Sequence, residues 1–297
     1  MRFFKARPIS KLAVSPPKAN PERRGVAIPI IVKNEARYIE EWARFHLLAG
    51  VSHFIVYDNG STDETVSILR DIVPAEALTI VPWAQSLRDG RSGAEIHNQV
   101  LAFAHALANY GAEFRWMAFV DVDEFIVPKA EASIEAALER VAEAGHVSLP
   151  WQMFGRGGHE VPPEGGIVAN YTRRMRTTEG ARHALNWKCI VDPSRVTGVR
   201  VHGMEIDGKG EGVNDAGVPA AHSAREKAGF YSAEFLQLNH YYTRSNRDLQ
   251  AKLQACLIAS VALQQHARRV MRIVAEIEAD EVEDVAAIDF IARAQGK

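Results

Sequence analysis

Three acids stand within four residues at the end of an apolar run. The segment from Trp116 to Pro128 reads WMAFVDVDEFIVP, and its Trp, Phe and Val content before Asp121, Asp123 and Glu124 suits a buried strand closed by Pro128. Side chains two apart on extended backbone point the same way, so Asp121 and Asp123 can share one target. Unpaired carboxylates at the end of such a strand would repel each other and lose hydration at a cost. A hard divalent cation, Mg2+ or Mn2+, that itself holds phosphate oxygens removes that cost.

Three readings of a bare D-x-D compete. It can be a solvated strand end, where acids are common. It can belong to a phosphatase of the haloacid-dehalogenase kind, which uses the first aspartate as nucleophile. Or it can be the metal-nucleotide clamp of a nucleotide-sugar transferase. The motif does not choose, so the elements that position it must.

Val26 to Val32 reads as a buried strand in which Pro29 argues for an edge or a bulge. Lys33, Asn34 and Glu35 follow, then a helix from Ala36 to Ala49 with Tyr38, Trp42, Phe45 and Ala49 on one face. Val51 to Tyr57 is a second strand, and the turn from Asp58 to Asp63 leads to a helix that Ser61 and Glu64 could open as a capping box. Leu78 to Val81, an Ala-rich helix from Gly93 to Asn109 and a strand from Phe114 to Val120 complete four alternations. That pattern predicts a mostly parallel sheet with covered faces, whose ligands bind beyond the carboxyl ends of the strands. Three of those ends carry polar clusters: 33–35, 58–63 and 121–124.

A chain of 297 residues with 47% hydrophobic and 24% charged residues can bury a full core as one large domain. A net charge of -2 gives no general pull toward nucleic acid. Cys189 and Cys256 form no metal-type pair, and a reducing, cytoplasmic compartment is the default. Residues 1–25 carry seven Lys and Arg against Glu22 alone, with Pro16, Pro17 and Pro21. They predict a disordered basic arm, and with Phe3 and Phe4 a weak tether to the inner face of a membrane is the sharper alternative.

Several motifs in order resemble one family. They are V-K-N-E at Val32 to Glu35, Y-I-E-E-W-x-x-F-H at Tyr38 to His46, F-I-V-Y-D-N-x-S-x-D at Phe54 to Asp63 and F-x-D-x-D-E-F at Phe119 to Phe125. W-x-x-F-G-x-x-G-H at Trp151 to His159, K-x-I-V-x-P-x-R-V from Lys188 with V-H-G at Val201 to Gly203, and L-N-H-Y-Y-T-R-S at Leu238 to Ser245 continue the series. Together they resemble the GT-A glycosyltransferases, and more narrowly glycosyltransferase family 92 and its bacterial family-2-like relatives. The phosphatase fold usually places its D-x-D on the first strand, and here three strand-helix units precede it, which disfavours that reading.

The resemblance implies a GT-A domain over 26–245 and a helical extension over 246–297. It implies a UDP-sugar donor, a hexose such as galactose, a saccharide or glycoconjugate acceptor, and Mn2+ or Mg2+. Asn34, Glu35, Asp58, Asp121 and Lys188 would contact the donor, with Asp63 explained as well by its helix dipole. Asp123 would lead the metal ligands, with Asp121 and with His202, His240 being the runner-up; Glu124 would support them. Arg244 could neutralise phosphate beside Lys188.

Trp151, Phe154 and His159 would form an acceptor wall, the alternative being core aromatics before a Gly-rich loop. Inversion at the anomeric carbon, which the family implies, needs a carboxylate base; Glu160 is the candidate, with Glu205 and Asp207 as alternatives. Past Ser245 the apolar positions Leu249, Leu253, Cys256 and Leu257, then Val270, Ile273, Val274 and Ile277, predict helices that cover the domain or form a homodimer contact. The acidic stretch 276–284 could attract the basic amino end. The reading from another class is a catalytically silent module that binds nucleotide sugar.

Overall fold

The computed structural model describes residues 8–227, 229–257 and 261–296. After a short β1 (Leu12–Ala13), strands and helices alternate as β2 (Val26–Val32), α1 (Ile39–Leu48), β3 (Val51–Asp58), α2 (Thr65–Ile72), β4 (Leu78–Pro82), α3 (Asn98–Tyr110) and β5 (Trp116–Phe119). Strands β4, β3, β2 and β5 lie side by side in that order and run parallel. Their carboxyl ends therefore share one rim, which brings residues 33–35, 58–63 and 121–124 to the same edge.

The parallel half is buried because its strands are apolar on both faces. Val26, Ile28, Ile30 and Val32 of β2 pack in one layer with Trp42, Phe45 and Leu69, while Ala27 packs in the other with Phe103, Leu107 and Phe119. Each such large side chain contributes about 1.5–3 kcal/mol by leaving water. Pro29 stands in a central strand, against the expectation of an edge. The ladder to β5 covers only Val26 and Ala27, so beyond it β2 is paired on the β3 side alone, and a missing amide is tolerated. The α2 cap also differs from the expected Ser61–Glu64 box: Asp63 Oδ1 accepts from Thr65 N at 3.0 Å, and Ser61 serves the rim instead.

The second half closes the sheet. It runs through β6 (Glu124–Pro128), α4 (Ile134–Leu138), β7 (His146–Met153), α5 (Ile167–Asn170), β8 (Arg173–Met175), β9 (Trp187–Val191), β10 (Val196–Val199), β11 (Met204–Ile206), β12 (Glu211–Val213), β13 (Pro219–Ala221) and β14 (Leu236–His240). Strand β9 lies antiparallel between β5 and β7. Strand β14 pairs parallel with β7 and antiparallel with β6. The result is the expected α/β class: a mixed sheet with flanking helices.

Both ends are more integrated than the sequence suggested. Residues 8–25 are laid onto the domain rather than forming an arm: β1 pairs with β10, Ile9 bridges to Ile96, and Arg23 grips Asp192 at 2.5 and 2.9 Å. Lys11 binds Glu205 at 2.6 Å, so these two positive charges are neutralised internally. Phe3 and Phe4 lie outside the described residues. The carboxyl segment comprises α6 (Asn246–Leu257), α7 (Val261–Ala279), β15 (Glu281–Glu283) and α8 (Ala286–Ala294). Strand β15 pairs with β8, and Phe290 of α8 is buried with its ring 5.4 Å from that of Phe45. The segment is thus part of the core, not an appended tail. Its acids meet Arg156, Arg173, Arg174 and Arg176 through Glu278, Glu281, Asp284 and Asp280, not the amino end. The side chains of Cys256 and Leu257 lie outside the described residues. Among the described residues no helix is long and apolar enough to cross a membrane.

Candidate metal and donor site

The acids are set by a turn rather than by a strand. β5 stops at Phe119, and Glu124 N donates back to Asp121 O at 3.0 Å before β6 begins. The two aspartates line one cavity, yet their carboxylates hold different partners. Asp121 accepts from Lys188 Nζ and from Gln99 Nε2, each at 2.6 Å. Asp123 Oδ2 lies 3.4 Å from His240 Nε2. Glu124 and His240 are opposite one another in the β6–β14 ladder, so strand register delivers the histidine to the acids.

Burial sets the charges. Lys188 is 1% exposed, with Asp121 at 2.6 Å and Glu124 at 3.5 Å. Burial works against its ammonium, but the two carboxylates outweigh it and hold the lysine above its usual range. Burial pushes the Glu124 carboxyl up to about 8, against the pull of Lys188. Its Oε2 accepts from Asp121 N at 2.8 Å, while Oε1 is buried with no hydrogen-bond partner among the described residues. Burial lowers His240 despite the attraction of Asp123, favouring the neutral imidazole, the form that binds metals.

Asp123, Glu124 and His240 each offer an atom within 4.8 Å of the others. Two carboxylates and a neutral imidazole, with one carboxylate oxygen orphaned, fit a divalent cation. Asp121 and His202, expected as ligands, stand outside this group. Asp121 is occupied by Lys188 and Gln99. His202 packs against the same indole as His240, the Trp151 ring centroid lying 5.6 Å from His202 and 4.3 Å from His240.

A cavity of about 440 Å³ opens beside the acids, lined among others by Glu35, Asp121, Asp123, Arg244 and Asp248. Arg244 has φ +52°, an uncommon backbone state for a long side chain. Its guanidinium lies 3.8 Å over the Tyr38 ring and 4.0 Å from Glu35. Burial pushes Glu35 up to about 7, with Arg244 opposing and Asp123 adding to the rise. On the neighbouring strand ends, Asn34 (φ +57°) accepts from Thr62 N at 2.8 Å, and Asp58 Oδ1 accepts from Ser61 N at 2.8 Å. Asp63 accepts from Ala36 N at 3.0 Å. These three side chains tie the rim loops together.

The expected acceptor residues scatter. Trp151 is buried in β7 with both histidine rings near it, and Phe154 is 1% exposed with its ring 4.7 Å from Tyr241, so Phe154 is core. His159 Nε2 lies 3.1 Å from Asn170 O, with the ring against Tyr171. Glu160 is exposed in a separate cleft of about 280 Å³, where its Oε2 accepts from Asn246 Nδ2 at 2.9 Å. It anchors the start of α6 and does not line the acid cavity. Glu205 pairs with Lys11, and Asp207 with Arg195 at 2.6 Å. Sequence reasoning missed Gln99 and Asp248, since a glutamine and an acid in the first turn of a helix carry no signal of their own. His240 was in view as the runner-up, and only the β6–β14 register brings it to the acids.

The profile of glycosyltransferase family 92 matches residues 27–266. A family 92 protein of Ricinus communis is 26% identical over 209 residues, covering 66% of this chain and 34% of that protein. The galactan beta-1,4-galactosyltransferase GALS2 of Arabidopsis thaliana is 30% identical over 115 residues, 37% of this chain and 21% of its own length. This chain thus spans about a third or less of these curated relatives. Among solved structures, S. aureus TarS 1-349 is 15% identical with a TM-score of 0.35, covering 85% of this chain and 70% of that one. With 27–266 matched, more than three quarters of the sequence, the chain belongs to glycosyltransferase family 92.

Proposed function

We propose that this protein transfers a hexose, galactose being the first to test, from a UDP-sugar to a saccharide or glycoconjugate acceptor, with inversion. The observation that carries this reading is the meeting of Asp123, Glu124 and His240 on the rim shared by the parallel strands, beside a cavity that Arg244 also enters. Asp123, Glu124 and His240 would hold Mn2+, favoured over Mg2+ because one of the donors is a nitrogen. When bound, the cation is a Lewis acid for a departing diphosphate. Arg244 adds a fixed positive charge on the other wall of the cavity. Lys188 and Gln99 fix Asp121 at the mouth, where it can accept a sugar or ribose hydroxyl. Glu35 lines the same cavity and would lie beside the donor, whereas Glu160 lies in a cleft of its own, which counts against a role as the base.

A panel of UDP-sugars and other nucleotide sugars, screened by thermal shift with and without Mn2+, tests this reading. A Tm rise with UDP-galactose that needs Mn2+, followed by slow release of the sugar, is expected. No shift with any nucleotide sugar in the presence of Mn2+ would overturn it.

A further inference from the structure

A second cavity of about 760 Å³ shares no lining residue with the cavity beside the acids, and its chemistry is the opposite of the first. His97 at the start of α3, Arg200 and His202 after β10, and His222 and Arg225 after β13 border it. Its one carboxylate, Glu205, is already held by Lys11 at 2.6 Å and Arg200 at 3.6 Å. Arg225 forms no ion pair among the described residues. Its Nη1 donates to His202 O at 3.2 Å and its Nε to His222 O at 3.4 Å, while the guanidinium lies 5.5 Å from the Trp187 ring centroid. Carbonyl contacts orient this cation without neutralising it, and burial works against its charge. A half-buried guanidinium of fixed orientation beside an open cavity is a site for carboxylate or phosphate, which it can meet with two parallel N–H donors.

We propose that this cavity binds an anionic group, phosphate or carboxylate, carried by the acceptor saccharide, with Arg225 as the principal contact and Arg200 as the second. The proposal rests on the transferase reading for the word acceptor, and it deepens that reading by naming an acidic acceptor class. The position supports this, since His202 lines the cavity and its ring packs against Trp151, as does that of His240. A sugar seated across Trp151 could place its acidic group against Arg225 and a hydroxyl toward Asp121, whose charge reaches both His97 and His202.

The test is binding to the full chain without donor or metal, measured by calorimetry with glucose 6-phosphate, glucuronate, glucose and inorganic phosphate. Glucose 6-phosphate or glucuronate is expected to bind at least roughly tenfold more tightly than glucose, a difference that Arg225→Gln removes and Arg200→Gln reduces. Mn2+-dependent UDP binding by both variants should match the wild type. Equal binding of glucose and its acidic relatives to the wild type overturns the proposal, and that comparison needs no variant to fold. Inorganic phosphate binding as tightly as the sugar phosphate would mark a free-phosphate site and also overturn it. Loss of UDP binding in Arg200→Gln would assign the cavity to the donor instead. Because donor and metal are absent from the first measurement, it can fail while the transferase reading stands, and the reverse.

Discussion

His240 Nε2 lies 3.4 Å from Asp123 Oδ2, while His202 stands outside the group formed by Asp123, Glu124 and His240. The two histidines stand at the ends of different strands, and only the one in register with Glu124 reaches the acids. That relationship distinguishes the histidine that could join the acids in holding a cation from the one outside their group.

Lys188 is the internal counter-charge of the acidic turn. Replacing it by Met leaves the fully buried Glu124 without its cation and removes a partner from the part-exposed Asp121, a loss that costs about 1–3 kcal/mol. Urea unfolding of Lys188→Met should show a destabilisation of that order, and Glu124→Gln in the same chain should recover part of it. A wild-type midpoint in Lys188→Met would show that the lysine is not paired as described.

Glu35 gives a pH signature. Its folded-state pKa of about 7 exceeds the ordinary 4.5, so between those values the unfolded chain has lost a proton that the folded chain keeps. Stability therefore falls as pH rises through that window. Glu35→Gln removes the penalty: the variant should gain Tm relative to wild type by a few degrees at pH 8 and show no such gain at pH 4.5. A difference that does not change with pH would contradict the raised affinity.

Glu160→Gln should retain turnover within about threefold, because Glu160 touches Asn246 in a separate cleft. An initial-rate assay with saturating donor checks this. A loss of two or more orders of magnitude in rate would restore Glu160 as the base.

Phe290 anchors the carboxyl segment. Phe290→Ala empties a fully packed site against Phe45 and should cost about 3–5 kcal/mol, seen as a lowered denaturation midpoint. Stability unchanged from wild type would mean that α8 is dispensable cover.

The parallel half was legible because its strands are buried on both faces and its helices are amphipathic, so local pattern and tertiary role coincide. Val26–Val32 could be bounded to the residue from that signal. The site was legible as a rim of polar clusters, but not in its pairings. Asp121 and Asp123 diverge because a turn hydrogen bond, invisible in D-x-D spacing, replaces the extended backbone. His240 rather than His202 joins them because β14 crosses to pair with β6, a long-range register that periodicity does not encode. The leading segment misled because a few residues of β1 and one arginine pair suffice to fasten a proline-rich stretch. The charge pattern suggests that the acids at the carboxyl end attract the basic amino end, whereas their partners are four arginines more than 90 residues away in sequence.

The central claim is that Asp123, Glu124 and His240 hold the cation on which donor binding depends. Calorimetric titration of UDP into wild type, His240→Ala and His202→Ala, each with Mn2+ and with EDTA, tests it most directly. Wild type and His202→Ala should bind UDP only with Mn2+, and folded His240→Ala should lose roughly a hundredfold or more in affinity. Wild-type Mn2+-dependent binding by His240→Ala would contradict the account.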